Sequence, residues 1–202
     1  MTRLLHLILA LSITALPVQA AGPVDPDWPC IQRRQPALSV AQIWPGPPAG
    51  AEAGALAETP AIRSLGAELA ARRTPMEEAR AKIEAFAAGH SADEQQALFL
   101  ATFAQLQASR ARVMEGITRY AHKQAGLDAD INTQRREFER LMEAEPKDFD
   151  RIDKAEAAID WSTRIFLDRQ QSLTYVCETP VILEQRAFAL ARVMAAALKA
   201  RE

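Results

Sequence analysis

Residues 99–141 read FLATFAQLQASRARVMEGITRYAHKQAGLDADINTQRREFERL. Large side chains recur in this stretch at alternating steps of four and three positions, which is the heptad spacing of a long helix packed against other helices. The heptad positions are Phe99, Phe103, Leu106, Arg110, Val113, Ile117, Tyr120, Gln124, Leu127, Ile131, Gln134, Phe138 and Leu141. The polar members Arg110, Gln124 and Gln134 more often set the register of packed helices than line a polar cavity. The pattern predicts an all-α fold.

Gly126 is the weak point of this long helix, because glycine costs about 1 kcal/mol in a helix interior. The heptad spacing nevertheless continues across Gly126 without a change of phase, which a turn would have no reason to preserve. We therefore predict one helix from about Ala92 to Glu145, with a break at Gly126 as the alternative.

Capping signals predict where the other helices begin. A hydroxyl or carboxylate stands before each predicted start, and two of these signals are capping boxes, at Thr74–Glu77 and Ser91–Glu94. The predicted first caps are Thr59, Thr74, Ser91, Asp148 and Thr179. Pro146 and Pro180 lie in the predicted turns, and short turns make successive helices antiparallel. The prediction is an elongated antiparallel bundle of three larger and two shorter helices.

Residues 1–20 have the composition of a secretory signal peptide: Arg3 is followed by an apolar run over 4–16, and Val18–Ala20 offers small residues for cleavage. The apolar run is shorter than the roughly 20 residues that a membrane-spanning helix needs. We expect an exported protein, periplasmic or secreted, with no stable membrane insertion after cleavage. An uncleaved N-terminal anchor is the alternative.

Residues 21–58 form a proline-rich arm ahead of a helical domain over 59–202. Its prolines prevent a long regular helix, and the arm is predicted to be extended with one short turn near Ser39–Ile43. Its large apolar side chains are too numerous to remain in water, so the arm should lie on the helical body. The residues proposed for arm contacts or partner binding are Trp28, Trp44 and Trp161. Trp161 also widens the apolar face of the helix after Asp148 beyond what one neighbour needs.

The chain contains two cysteines, Cys30 and Cys177. In an exported chain an even, minimal count predicts one disulfide, which would pin the arm to a distant helix. Metal binding or redox chemistry is disfavoured, because there is no C-x-x-C spacing and no histidine close by in sequence.

Composition excludes several classes of function. The chain has 24 Lys and Arg against 26 Asp and Glu, a net charge of −2 that becomes −3 without Arg3. A nucleic-acid-binding protein would need a basic face, so no nucleic-acid partner is expected. No glycine-rich phosphate loop and no C-x-x-C-H haem attachment motif is present, so no cofactor is predicted.

No catalytic residues are predicted. After the signal, the histidines are His90 and His122, and neither completes a nucleophile–base–orienter set in sequence. Five carboxylates near Pro146 are weak metal candidates: Glu143, Glu145, Asp148, Asp150 and Asp153. They lack the order and the glycine of a calcium-binding loop, and acidic residues also favour the N-terminus of a following helix.

We expect the protein to act by binding an unidentified protein or ligand, as an accessory subunit or scaffold, and self-association is left open. The antiparallel helices and the acidic turn resemble small periplasmic stress and metal-resistance hairpin proteins. The stretches at 91–95 and 179–185 are similar to the Leu-Thr-x-x-Gln segments of that family, but both lack the Leu-Thr pair. The resemblance implies a chaperone-like, stress- or metal-responsive hairpin protein as the alternative function. A carboxylate-bundle metalloenzyme is a weaker alternative, because Glu-x-x-His pairs are absent.

Overall fold

The computed structural model of the chain describes residues 25–200, and within that range it contains helices and no strand. The helices are α1 (Val40–Ile43), α2 (Ala51–Leu56), α3 (Pro60–Ala70), α4 (Met76–Gly89), α5 (Ala92–Glu143) and α6 (Phe149–Lys199). The predicted all-α class is confirmed. The predicted signal peptide lies outside the described residues.

Helices α5 and α6 form one long antiparallel hairpin around which everything else is arranged. They contain 52 and 51 residues, so each is about 75–80 Å long at a rise of 1.5 Å per residue. Helix α5 passes through Gly126 without interruption, as the heptad spacing predicted. No helix among residues 25–200 is both long and apolar enough to cross a bilayer.

The predicted turn at residues 178–180 is wrong, because Pro180 lies inside α6. Proline there removes one backbone hydrogen bond to Val176, but the helix continues on both sides. The Thr179 hydroxyl donates to the Tyr175 carbonyl at 3.3 Å, a contact that requires helical backbone. Pro180 is itself buried. Within residues 25–200 the bundle therefore has two long helices and four shorter ones, instead of three larger and two shorter.

Two of the predicted helix starts have the predicted chemistry. The Ser91 hydroxyl accepts from the Glu94 amide at 3.3 Å while the Glu94 carboxylate accepts from the Ser91 amide at 2.7 Å. This reciprocal pair begins α5. Asp148 begins α6 by accepting from the amide of Arg151 at 3.2 Å. Each cap satisfies an amide that the helix itself leaves unpaired.

The predicted capping box at Thr74–Glu77 is wrong. The Thr74 hydroxyl donates to the Glu68 carbonyl at 2.7 Å, so it closes the end of α3 and leaves Pro75 as the first cap of α4. Thr59 does precede α3, but its hydroxyl donates to Leu56 at 2.7 Å. In both cases a carbonyl left over from the preceding helix competes for the hydroxyl.

The packed core lies at the end of the hairpin where α5 begins and α6 ends. Helices α2 and α3 pack on α5, and α4 packs on α6. Gly66 allows close approach of α3 to α5, because a Cβ there would lie 3.0 Å from the backbone nitrogen of Thr102. The most completely buried large side chains are Phe99, Leu69, Leu98, Ile117, Leu190 and Thr102.

The arm, described here from Asp25, lies along the hairpin and includes the short helices α1 and α2. The arm contacts α5 as far along as His122, through the carboxylate of Asp27. Cys30 and Cys177 are joined in a disulfide with a Cα–Cα distance of 5.5 Å, as predicted. The disulfide ties the arm to α6 near the middle of the hairpin.

Candidate functional site

The five acidic metal candidates surround the turn between α5 and α6 but do not form a metal site. Glu143, Glu145, Asp148, Asp150 and Asp153 are all exposed. No group of three or more His, Cys, Asp or Glu within residues 25–200 is placed to hold a metal ion. Asp148 is engaged as the cap of α6.

The two histidines make structural contacts. His90 stacks on Phe86 with ring centroids 3.8 Å apart, and its Nδ1 lies 2.8 Å from the Phe86 carbonyl. His122 contacts the carboxylate of Asp27 and so holds the start of the arm on α5.

Two of the three tryptophans hold the arm against the helices. Trp28 is buried against Met114 and Ile117 of α5. Trp44 stacks on Phe99 with centroids 4.3 Å apart. Their indole nitrogens donate to arm carbonyls, at 2.6 Å and 2.7 Å, so neither polar group is left unpaired.

Arg110 is the charged heptad residue, and it joins three elements. Its side chain is buried on α5, where Nη2 lies 3.9 Å from the carboxylate of Glu184 on α6. Its Nη1 lies 3.5 Å from the carbonyl of Pro36 in the arm. Burial lowers the pKa of the Arg110 guanidinium, and the charge of Glu184 opposes that effect. The guanidinium of Arg110 thus links α5 to both α6 and the arm.

The other polar heptad residues lie between α5 and α6 in the distal hairpin, residues 123–169. Gln124 donates to the Phe166 carbonyl at 3.2 Å. The side-chain oxygens of Gln124, Gln134 and Thr163 are buried without a hydrogen-bond partner. Buried polar atoms of this kind weaken a packed interface.

The third tryptophan lies on the outside of the molecule. Trp161 is 64% exposed, and the same side of α6 carries Tyr175 at 76%, Leu167 at 53% and Ile182 at 37%. An open groove lies beside Trp161, lined by Ala157, Asp160, Trp161, Thr163, Arg164, Leu167 and Asp168. All of these belong to α6, so the groove runs along one face of one helix.

This face carries a row of exposed residues at heptad spacing, which we call the α6 stripe. Its members are Lys154, Ala157, Trp161, Arg164, Asp168, Gln171, Tyr175, Glu178 and Ile182, all exposed and spaced at alternating steps of three and four. Such spacing is typical of a helix surface that packs against another helix. The stripe lies opposite the face that packs on α5, so α6 carries two heptad surfaces and uses one within the chain.

The charged members of the stripe are unpaired within the described residues. Arg164 lies four residues from both Asp160 and Asp168, yet it makes no ion pair with any described residue, and the same holds for Lys154 and Glu178. The stripe therefore presents apolar side chains together with positive and negative charges that another surface can complement.

The stripe is continuous with the surface of α6 that α4 covers. Arg186 on α6 donates to the carbonyls of Leu69 and Thr74, at 2.6 and 2.8 Å, and so fixes the loop ahead of α4 on α6. A hollow between Met76 at the start of α4 and Ile182 at the end of the stripe marks the boundary. On one side of this boundary a helix of the same chain covers α6, and on the other side α6 is open.

Sequence reasoning identified Trp161 but not the rest of the stripe. Tyr175 and Ile182 of the stripe were missed, as was Leu167 beside it, although Trp161, Asp168, Tyr175 and Ile182 are each seven residues apart. That spacing indicates that the four residues lie on one face of a single helix. It was obscured because the predicted turn at Pro180 placed Ile182 on a different helix.

Comparisons with protein families, with curated proteins and with solved structures find no match to this chain.

Proposed function

We propose that the protein is exported, to the periplasm or beyond, and that it acts without catalysis by binding a protein partner, of its own or of a different sequence, through the α6 stripe, as an accessory subunit or scaffold. The observation that carries the proposal is the row of exposed Trp161, Tyr175 and Ile182 at heptad spacing on a long helix. Single exposed apolar residues are ordinary. A row of them that includes Trp and Tyr has the composition of a protein-binding hot spot.

Export is supported by the disulfide and by the signal-like composition of residues 1–20. Disulfides form and persist in oxidising compartments and are rare in the reducing cytosol. Enzymatic function has no comparable support: His90 contacts Phe86, His122 contacts Asp27, and Asp148 caps α6.

Site-specific photo-crosslinking tests this proposal. A photoreactive amino acid replaces Trp161 in one variant, and replaces Arg135, an exposed residue of α5, in a matched control. We expect discrete protein adducts from position 161 and none from position 135 when the full chain is expressed with its signal. The proposal fails if position 161 gives no protein adduct, or if both positions give the same adducts.

The chaperone-like alternative rests on the same exposed side chains, which could hold unfolded chains in place of one folded partner. Under that function the protein would suppress aggregation of unrelated model clients. A variant with Trp161→Ser and Tyr175→Ser would then lose the suppression. An accessory subunit would instead leave the aggregation of such clients unchanged and give one dominant adduct from position 161.

A further inference from the structure

We propose that the occupant of the α6 stripe is a second copy of this chain, with the two α6 helices antiparallel about a two-fold axis at position 166. This inference rests on the proposed protein-binding role of the stripe and adds the identity and register of the partner. It is argued from the order of charges and sizes along the stripe and from the extent of α6 that is left open.

The packed surface of a heptad helix consists of residues at two heptad positions, which form two classes. In an antiparallel pair, each residue of one class faces a residue of the other class in the second helix. For the α6 stripe, Trp161, Asp168, Tyr175 and Ile182 form one class with Lys154. Ala157, Arg164, Gln171 and Glu178 form the other. With the axis at position 166, every member of the first class between 154 and 175 faces a member of the second.

The charges are complementary in this register. Arg164 faces Asp168 of the second copy, and Lys154 faces Glu178 of the second copy. Two-fold symmetry makes each pair occur twice. The two facing stripes therefore make four opposite-charge contacts and no like-charge contact. Within the chain these four side chains have no ion-pair partner among the described residues. Complementary charges of this kind set partner choice and register.

The sizes are complementary as well. Tyr175, 76% exposed in the single chain, faces Ala157 of the second copy, and a large side chain opposite a small one lets the helices approach. Trp161 faces Gln171, whose side chain is long enough to lie along the indole ring. Leu167 flanks the seam beside the axis, where it meets Leu167 of the second copy. Leu167 thus lies at the centre of the interface, with Trp161 on one side of it and Tyr175 on the other.

The open length of α6 has its midpoint at the same place. Among residues 25–200, no helix covers the outer face of α6 from its start at Phe149 to Ile182, beyond which the start of α4 at Met76 borders the helix. The middle of this interval falls beside position 166. In the proposed pair, the Pro146 turn of the second copy ends where α4 begins. Phe149 of the second copy, 69% exposed in the single chain, then lies beside the hollow at Ile182.

The facing residues run from Lys154 to Glu178, a length of about 36 Å at 1.5 Å per residue and about three and a half heptads. A stable two-stranded association needs at least about three to four heptads. Because several of the layers are polar, we expect a reversible dimer whose population rises with protein concentration and falls with salt.

Charge reversal at the two residues nearest the axis tests both the partner and the register. Arg164→Asp places two acidic residues opposite each other in a homodimer, and Asp168→Arg places two basic residues opposite each other. Each variant alone should raise the dimer dissociation constant about tenfold or more in sedimentation velocity at low salt. An equimolar mixture of the two variants should recover the wild-type constant. In the mixed dimer the two acidic residues of one copy, at positions 164 and 168, face the two basic residues of the other copy.

Both substituted residues are exposed, so folding should be retained and is checked by circular dichroism. Arg135→Asp on α5 is the matched control and should leave the dimer unchanged. A wild-type chain that stays monomeric at its highest soluble concentration overturns the inference, as does a dimer that neither single variant weakens or that the mixture fails to restore. If the chain is monomeric while position 161 still crosslinks to a different protein, the inference fails and the proposed function stands. If it is monomeric and nothing crosslinks, both fail.

Discussion

At the scale of single residues, Arg110 shows how a polar heptad position is accommodated. Its side chain is charged but the residue is only 3% exposed, and the Nε atom has no hydrogen-bond partner. A buried charge is stabilised only when it is paired, so removal of its partner is costly. The heptad pattern predicted that Arg110 lies between helices, but it could not identify Glu184 as the partner, which lies on another helix.

Glu184→Gln should therefore lower the free energy of unfolding by about 1–2 kcal/mol, since it leaves the Arg110 guanidinium buried without a counter-charge. The figure is at the low end for a buried pair because the Glu184 side chain is 35% exposed. Urea denaturation measures the change. Glu115→Gln, which removes the exposed partner of Arg119, is the control and should change stability by less than about 0.5 kcal/mol. Equal effects of the two substitutions would contradict the prediction.

At the scale of helices, local propensity predicted some elements and misjudged others. The heptad spacing correctly predicted that α5 continues through Gly126, because the apolar residues on both sides of Gly126 lie on the same packed face of one helix. Thr179-Pro180 has the form of a helix start, yet α6 continues through it. Proline costs about 3 kcal/mol inside a helix, and that local cost is outweighed by burial of α6 on both sides of Pro180. The capping box at Thr74 failed because the Thr74 hydroxyl donates to the Glu68 carbonyl at the end of α3.

Two glycines in helices should respond in opposite directions to the same substitution. Gly126→Ala should raise stability by about 1 kcal/mol, because alanine has the higher helix propensity and a Cβ at this position meets nothing within 4 Å. Gly66→Ala should lower stability by about 1–3 kcal/mol, because its Cβ would lie 3.0 Å from the backbone of α5. Thermal unfolding of both variants checks the pair. A stabilising Gly66→Ala would mean that α3 does not pack closely on α5.

At the scale of the whole molecule, the arm is the element that joins the packed end to the middle of the hairpin. It is held by Trp44 at one end, by Trp28 and the disulfide further along, and by Asp27 at His122. The disulfide links residues 147 positions apart. A closure of that length restricts the unfolded chain strongly, by about 4–5 kcal/mol in the chain-entropy treatment.

Removal of the disulfide by Cys30→Ser with Cys177→Ser should lower the free energy of unfolding by about 2–5 kcal/mol under non-reducing conditions. The arm should also loosen around Trp28, and its fluorescence should shift to longer wavelength as the indole enters water. Trp28→Phe in the same background identifies that signal. Trp44, stacked on Phe99, should stay buried. An unchanged melting temperature together with an unchanged spectrum would show that the disulfide does not hold the arm.

The sequence by itself determined the all-α class, the continuity of α5, the caps at Ser91 and Asp148, and the pairing of the cysteines. These features depend on helical periodicity, on contacts within a few residues and on there being only two cysteines. The tertiary structure alone decided that α6 passes through Pro180 and that its outer face, from Lys154 to Ile182, has no covering helix within the described chain. Those outcomes depend on how far α4 and the arm extend along the hairpin, and burial by distant residues is not encoded in any local pattern.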